Sequence, residues 1–161
     1  MNVEMKVKGL MIDPVSGMPI IILKGVASEE VLPIWVGVFE ANAIATRLER
    51  IEPPRPQTHD LLRDVIEGLG ATVERVEITD LREGTFYSFL YLQRDGQTHR
   101  IDSRPSDAIA LALRTGARLF VDSVVLEKST GTGDGAEGDE AERLRRWLET
   151  VDPEELGRYE M

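Results

Sequence analysis

The sequence predicts an α+β domain with a mixed, largely antiparallel sheet, three packed helices and a C-terminal helical tail. Two kinds of observation carry this. Strand-like apolar runs are separated by turn residues, most clearly at Asp95-Gly96, where the Asp-Gly pair marks a tight hairpin. Three other stretches, near 39–51, 58–69 and 104–115, place their apolar residues at helical spacing instead.

Val3, Met5 and Val7 alternate with polar and charged residues, and Asp13, Pro14, Ser16 and Gly17 supply turn chemistry before MPIIILK. This predicts a hairpin of strands near 3–12 and 18–24. The run Ile20 to Leu23 is continuous rather than alternating, as in a strand covered on both faces. LPIWVG forms a third strand after the polar turn from Gly25 to Glu30.

From Phe39 to about Ile51 the period becomes helical, with Phe39, Ala43, Ile44, Leu48 and Ile51 on the predicted apolar face and Glu40 and Arg47 within it. Charges there either pair with groups from elsewhere or bring an acid and a base to a cleft or subunit contact. Pro53, Pro54, Arg55 and Pro56 break the chain. Thr58 is placed to cap the next helix, with Asp60 in its first turn and Leu61, Leu62, Val65, Ile66 and Leu69 as its buried stripe, ending at Gly70.

Three further strands follow at 71–80, 85–93 and 97–102. Tyr87, Phe89 and Tyr91 share one face, which without a matching basic groove suits packing better than base stacking. His99 reads as a surface residue.

The stretch IDSRPSDAIALALR at 101–114 organises the rest. Ser103 can cap a helix, Pro105 fits its first turn and Gly116 closes it. Apolar residues cover most of the circumference, leaving a strip of Asp107, Ala110 and Arg114, so the helix is expected to be buried with that strip facing an opening. Asp102 and Arg104 sit at its entrance, where backbone N–H groups attract anions. A short strand at 118–121 completes the domain.

These readings divide the chain into a domain at 1–127, a flexible acidic linker at 128–138 and a tail at 139–161, where Ala141, Leu144, Trp147 and Leu148 recur at helical spacing. At 161 residues the chain buries enough apolar surface to fold without staples, and with no cysteine it has no disulfide or thiolate metal site. Neither a signal-peptide core nor a bilayer-length apolar run is visible, so a soluble cytoplasmic protein is expected.

The formal charge of −10 argues against a tight, static DNA-binding module, because phosphate neutralisation supplies most of such affinity. Residues 127–161 hold 11 acids and 5 bases, leaving 18 acids and 14 bases in 1–126. A transient encounter remains compatible with an acidic surface if a metal ion and a few arginines meet the phosphate locally. The chain has no phosphate loop, dinucleotide fingerprint, HExxH pair or serine elbow.

Four blocks, PIWVGVFEANAIA at 33–45, RPQTHDLL at 55–62, GTFYSFLYL at 84–92 and IDSRPSDAIALALRTGA at 101–117, resemble those of the bifunctional nuclease (BFN) family, in the family order. The resemblance spans about positions 3–126. It implies a single α+β domain, often oligomeric, acting as a nuclease on DNA and RNA, with no catalytic assignment to carry over.

The site residues follow from the chemistry. Phosphodiester hydrolysis needs an activated water, charge neutralisation at phosphoryl oxygens and help for the leaving oxygen, which Mg²⁺ or Mn²⁺ held by carboxylates supplies. Asp102 and Asp107 are the expected ligands, Glu40 a further one, and His59 with Asp60 the expected base. Arg55, Arg104, Ser106 and Arg47 are the expected substrate contacts. The expected partners are transient nucleic acid and a second copy, as a homodimer or higher homo-oligomer, with no membrane. Two other readings stay open: a non-catalytic regulatory or assembly domain, and a small-anion module at the 101–107 helix start.

Overall fold

The fold is taken from a computed structural model that describes residues 1–131. The expected linker from 132 onward and the tail lie outside the described residues. The described elements are β1 (Asn2–Ile12), β2 (Pro19–Gly25), β3 (Val31–Trp35), α1 (Val38–Leu48), α2 (Thr58–Gly68), β4 (Thr72–Arg82), β5 (Thr85–Arg94), β6 (Gln97–Ser103), α3 (Pro105–Thr115), β7 (Arg118–Asp122) and α4 (Ser123–Gly131).

The strands form one seven-stranded sheet in the order β3-β2-β1-β7-β4-β5-β6. β4 and β7 run parallel and the other neighbours antiparallel, so the sheet is mixed and largely antiparallel as predicted. The two-residue hairpin turns at Glu83-Gly84 and Asp95-Gly96 have positive φ at both residues, the conformation that matches the twist of the flanking strands.

One principal core lies on a single face of the sheet, and all four described helices contribute to it. α3 is at its centre, with Ala108, Ile109, Ala110 and Leu111 at 0% exposure. Burying a side chain the size of Ile109 or Leu111 stabilises the fold by about 1.5–3 kcal/mol. Gly116 closes α3 with φ 75°, as its position predicts.

The structure differs from expectation at the N-terminal ends of two helices. Arg104, not Ser103, is the N-cap of α3, with Pro105 at the first helical position. Ser103 instead faces Ser88, whose hydroxyl donates to the Ser103 carbonyl at 2.6 Å. In α2 the cap is Gln57 rather than Thr58: its side chain accepts from the Asp60 N–H, while the Asp60 carboxylate accepts from the Gln57 N–H. A fourth helix, α4, occupies 123–131 and sends Val125 and Leu126 into the core.

α1 and α2 bury only part of their predicted faces. Ile44 is buried as predicted, as is Ala41, but Phe39 is 88% exposed and Ile51 50%. In α2, Ile66 is buried as predicted, but Leu61 and Val65 are 57% and 49% exposed and Leu69 after it 63%, while His59 and Asp60 are buried. Helical periodicity finds an apolar stripe but not what it faces: here the polar pair of α2 turns inward because α3 offers partners for it.

Candidate functional site

The strip of α3 that carries Asp107, Ala110 and Arg114 faces α1 and α2, where polar partners meet it. His59 Nε2 and Asp107 Oδ1 lie 2.8 Å apart. Arg104 Nε donates to Asp107 Oδ2 at 2.9 Å, and the same guanidinium donates to Glu40 Oε1 at 2.8 Å. Groups from α1, α2 and the start of α3 thus form one run, His59–Asp107–Arg104–Glu40. Its placement follows from helix starts: Asp107 and Glu40 are both first-turn acids, where the helix dipole favours negative charge.

Behind this run sits a second ion pair. Arg114 Nε donates to Asp60 Oδ1 at 2.7 Å, with side-chain exposures of 1% and 10%. Its other nitrogens donate to the carbonyls of Ala110 and Ala43 at 2.9 and 3.0 Å. Every arm of the guanidinium is therefore used, and α1, α2 and α3 are strapped together one residue from His59.

Electrostatics keep the acids ionised. Burial pushes the Asp107 carboxyl up, but hydrogen bonds from Arg104 and His59 outweigh it and hold it below the ordinary aspartate value. Asp60 is likewise raised by burial and lowered further by the Gln57 N–H and Arg114. Glu40 is lowered by its own backbone N–H and by Arg104, whose guanidinium is in turn shifted up by the two acids.

The run opens on a cleft of about 1380 Å³ between α1, the 51–54 connection, α2 and the ends of β5 and β6. Glu40, His59, Arg104 and Asp107 line its wall, and Phe39, Leu61, Leu62 and Val65 form an apolar rim. No described residue hydrogen-bonds His59 Nδ1, whereas its Nε2 is held by Asp107.

Not every expected site residue arrives here. Asp102, opposite Phe89 in the β5–β6 pair, lines the same cleft as Asp107, but no hydrogen bond or ion pair joins the two. The partner of His59 is Asp107, not Asp60, which is committed to the α2 cap and to Arg114. Ser106 is buried in the first turn of α3, 7% exposed and off the cleft wall. Arg47 and Arg55 also lie off that wall and form no ion pair with a described residue. The residue that sequence reasoning undervalued is Arg114, expected to look out through an opening and found sealed beneath it; an arginine on an otherwise apolar helix was the available signal.

For a divalent cation, no group of three or more His, Cys, Asp or Glu side chains among the described residues is placed to hold one. Glu40 and Asp107 do converge, on the guanidinium of Arg104, which occupies the position of a cation between two carboxylates. No helix among the described residues is long and apolar enough to cross a membrane.

Comparison with known proteins identifies the architecture. Residues 21–132 match the bifunctional nuclease domain. An uncharacterized protein of Mycobacterium tuberculosis is 37% identical over 162 residues, covering 95% of this chain and 97% of its own length. "Bifunctional nuclease 1" of Oryza sativa subsp. indica is 34% identical over 90 residues, 54% of this chain and 27% of the rice protein. "Bifunctional nuclease 2" of Arabidopsis thaliana is 27% identical over 121 residues, 65% of this chain and 36% of the plant protein. The match over most of the chain, together with a relative of this identity along nearly its full length, makes this protein a member of the bifunctional nuclease domain family.

Proposed function

We propose that this chain is a nuclease that hydrolyses phosphodiester bonds in DNA and RNA with low sequence specificity, aided by a divalent metal ion. The single observation that carries the reading is the His59–Asp107–Arg104–Glu40 run on the wall of an open cleft. Its parts match the needs of the reaction. His59 takes a proton from the attacking water through Nδ1, while Asp107 fixes the ring through Nε2. Arg104, with its side chain 65% exposed, binds the phosphoryl oxygens.

Glu40 and Asp107 are the residues that would hold Mg²⁺ or Mn²⁺. Bound there, the metal would neutralise phosphoryl charge and lower the pKa of a water. The names of the plant relatives support a nuclease at the level of the family.

The test is cleavage of single- and double-stranded DNA and RNA by protein purified to constant specific activity, with and without chelator. Chelator-sensitive cleavage that disappears in Asp107→Asn and His59→Ala variants of unchanged thermal stability is the expected result. Cleavage that survives both substitutions refutes the assignment.

A second reading, assembly with another copy of this chain, is favoured by one feature. Val38 and Phe39 on α1 and Leu61, Val65 and Leu69 on α2 are between 49% and 88% exposed, an apolar area that stable monomers rarely leave to water. Light scattering on Phe39→Ser tests it: a lower mass than the parent chain is expected, and an unchanged mass rejects this contact.

A further inference from the structure

Among the described strands β6 ends the sheet, with β5 on one side and no strand on the other. The strand at the opposite end, β3, carries Pro33, which cannot donate to a ladder. β6 has no proline, its register with β5 runs unbroken from Gln97 to Ser103, and six of its seven residues are exposed.

Hairpin geometry decides which backbone groups of β6 point away from β5. The two-residue turn Asp95-Gly96 closes on Arg94 and Gln97 as a hydrogen-bonded pair, and such pairs alternate with open ones along an antiparallel ladder. Gln97, His99, Ile101 and Ser103 therefore direct their N–H and C=O groups to β5, in keeping with the Ser103 carbonyl accepting from the Ser88 hydroxyl at 2.6 Å. Thr98, Arg100 and Asp102 direct theirs outward.

Arg100 and Asp102 are both exposed and share one side of the strand. Neither forms an ion pair with a described residue, and Arg100 rests over the Phe89 ring at 4.4 Å. Charges guard an end strand when an approaching strand brings the same sign. Here the two are opposite in sign and two residues apart, so they complement a copy of themselves.

We infer that β6 pairs antiparallel with β6 of a second copy of this chain about a two-fold axis at Ile101. A ladder needs outward groups facing outward groups, which puts the axis at a residue and not between two. Axes at Arg100 or Asp102 set like charges face to face. Axes at Thr98 or His99 leave Asp102 facing no residue of β6, and one at Ser103 leaves Arg100 facing none. The axis at Ile101 sets Arg100 opposite the partner's Asp102, twice by symmetry. It also lays Ile101, 44% exposed, against its own copy. The partner's His99 then stands opposite Ser103, a residue of the cleft wall, so each copy brings an imidazole to the rim of the other's site. None of the exposed apolar residues of α1 and α2 takes part.

The chain has no cysteine, so Ile101→Cys gives one thiol per chain at the axis. Facing residues of an open pair lie about 4.5 Å apart between Cα atoms, inside the disulfide range of about 4.4–6.8 Å. Full-length Ile101→Cys in oxidised glutathione is expected to become a disulfide-linked dimer. Thr98→Cys, roughly 20 Å from its own copy in this register, is expected to run as a single chain on a non-reducing gel. Adding Arg100→Asp to Ile101→Cys is expected to slow linkage about tenfold, and adding Asp102→Arg as well to restore it. An unchanged thermal midpoint checks the fold of each variant, whose altered side chains are all exposed. No linkage in Ile101→Cys, equal linkage in Thr98→Cys, an unchanged rate with Arg100→Asp, or no recovery on exchanging the charges each overturns the inference.

Discussion

His59 and Asp107, 48 residues apart in the chain, meet at 2.8 Å across the contact between α2 and α3. The second oxygen of Asp107 is held by Arg104, so one carboxylate orients both the imidazole and the guanidinium of the cleft wall. Replacing Asp107 by Asn keeps the shape but removes the negative charge that both partners need. Nuclease turnover is expected to fall about a hundredfold or more, the range for losing an oriented acid–base group. Turnover measured beside the circular dichroism of the same sample checks this, and a wild-type rate in a folded variant refutes it.

Arg114 tests the support beneath that wall. Removing one partner of a buried, hydrogen-bonded pair leaves the other charged and unsatisfied, at a cost of about 3–5 kcal/mol. Arg114→Met is therefore expected to lower the urea midpoint strongly. Adding Asp60→Asn to it is expected to recover part of the loss, because the stranded charge disappears. A loss under about 1 kcal/mol in the single variant shows that the strap carries less than its geometry implies.

Acid should act on the same pair. The native pKa of Asp60 lies below its ordinary value of 3.8 because the Gln57 N–H and Arg114 together outweigh burial. A depressed carboxyl contributes stability that is complete above the unfolded value, about 3.9, and is lost as pH falls through the native one. Asp107 shifts in the same direction. Stability from urea unfolding is expected to decline below about pH 4, with a shallower decline in Arg114→Met. Equal acid slopes for the two proteins argue against Asp60 as a source.

Much of this arrangement was legible from local sequence, and the part that was not has a common cause. The α3 helix announces itself through Pro105 and Gly116, and the hairpins through Glu83-Gly84 and Asp95-Gly96, because backbone conformation is set by the residues that adopt it. Which way α1 and α2 face depends on other elements. His59 and Asp60 turn inward only because Asp107 and Arg114 are there to receive them, 48 and 54 residues later.

Gly37 controls the far end of the run. It is the N-cap of α1, with φ −71° that any residue adopts, so its lack of a side chain matters for space alone. A Cβ built there collides with the Glu40 carboxylate, which curls back over the helix start to reach Arg104. Because that carboxylate is the end of a flexible side chain, Gly37→Ala is expected to leave the fold intact and to push Glu40 away from Arg104. The guanidinium then keeps Asp107 as its single ion-pair partner among the described residues. If the Arg104–Glu40 contact positions the phosphate-binding group, KM for an oligonucleotide is expected to rise severalfold with a smaller change in kcat. Glu40→Gln, which leaves the space at Gly37 unchanged but weakens the contact, is expected to move KM the same way. Opposite effects of the two substitutions would mean that Glu40 restrains Arg104 from the substrate instead of aiming it.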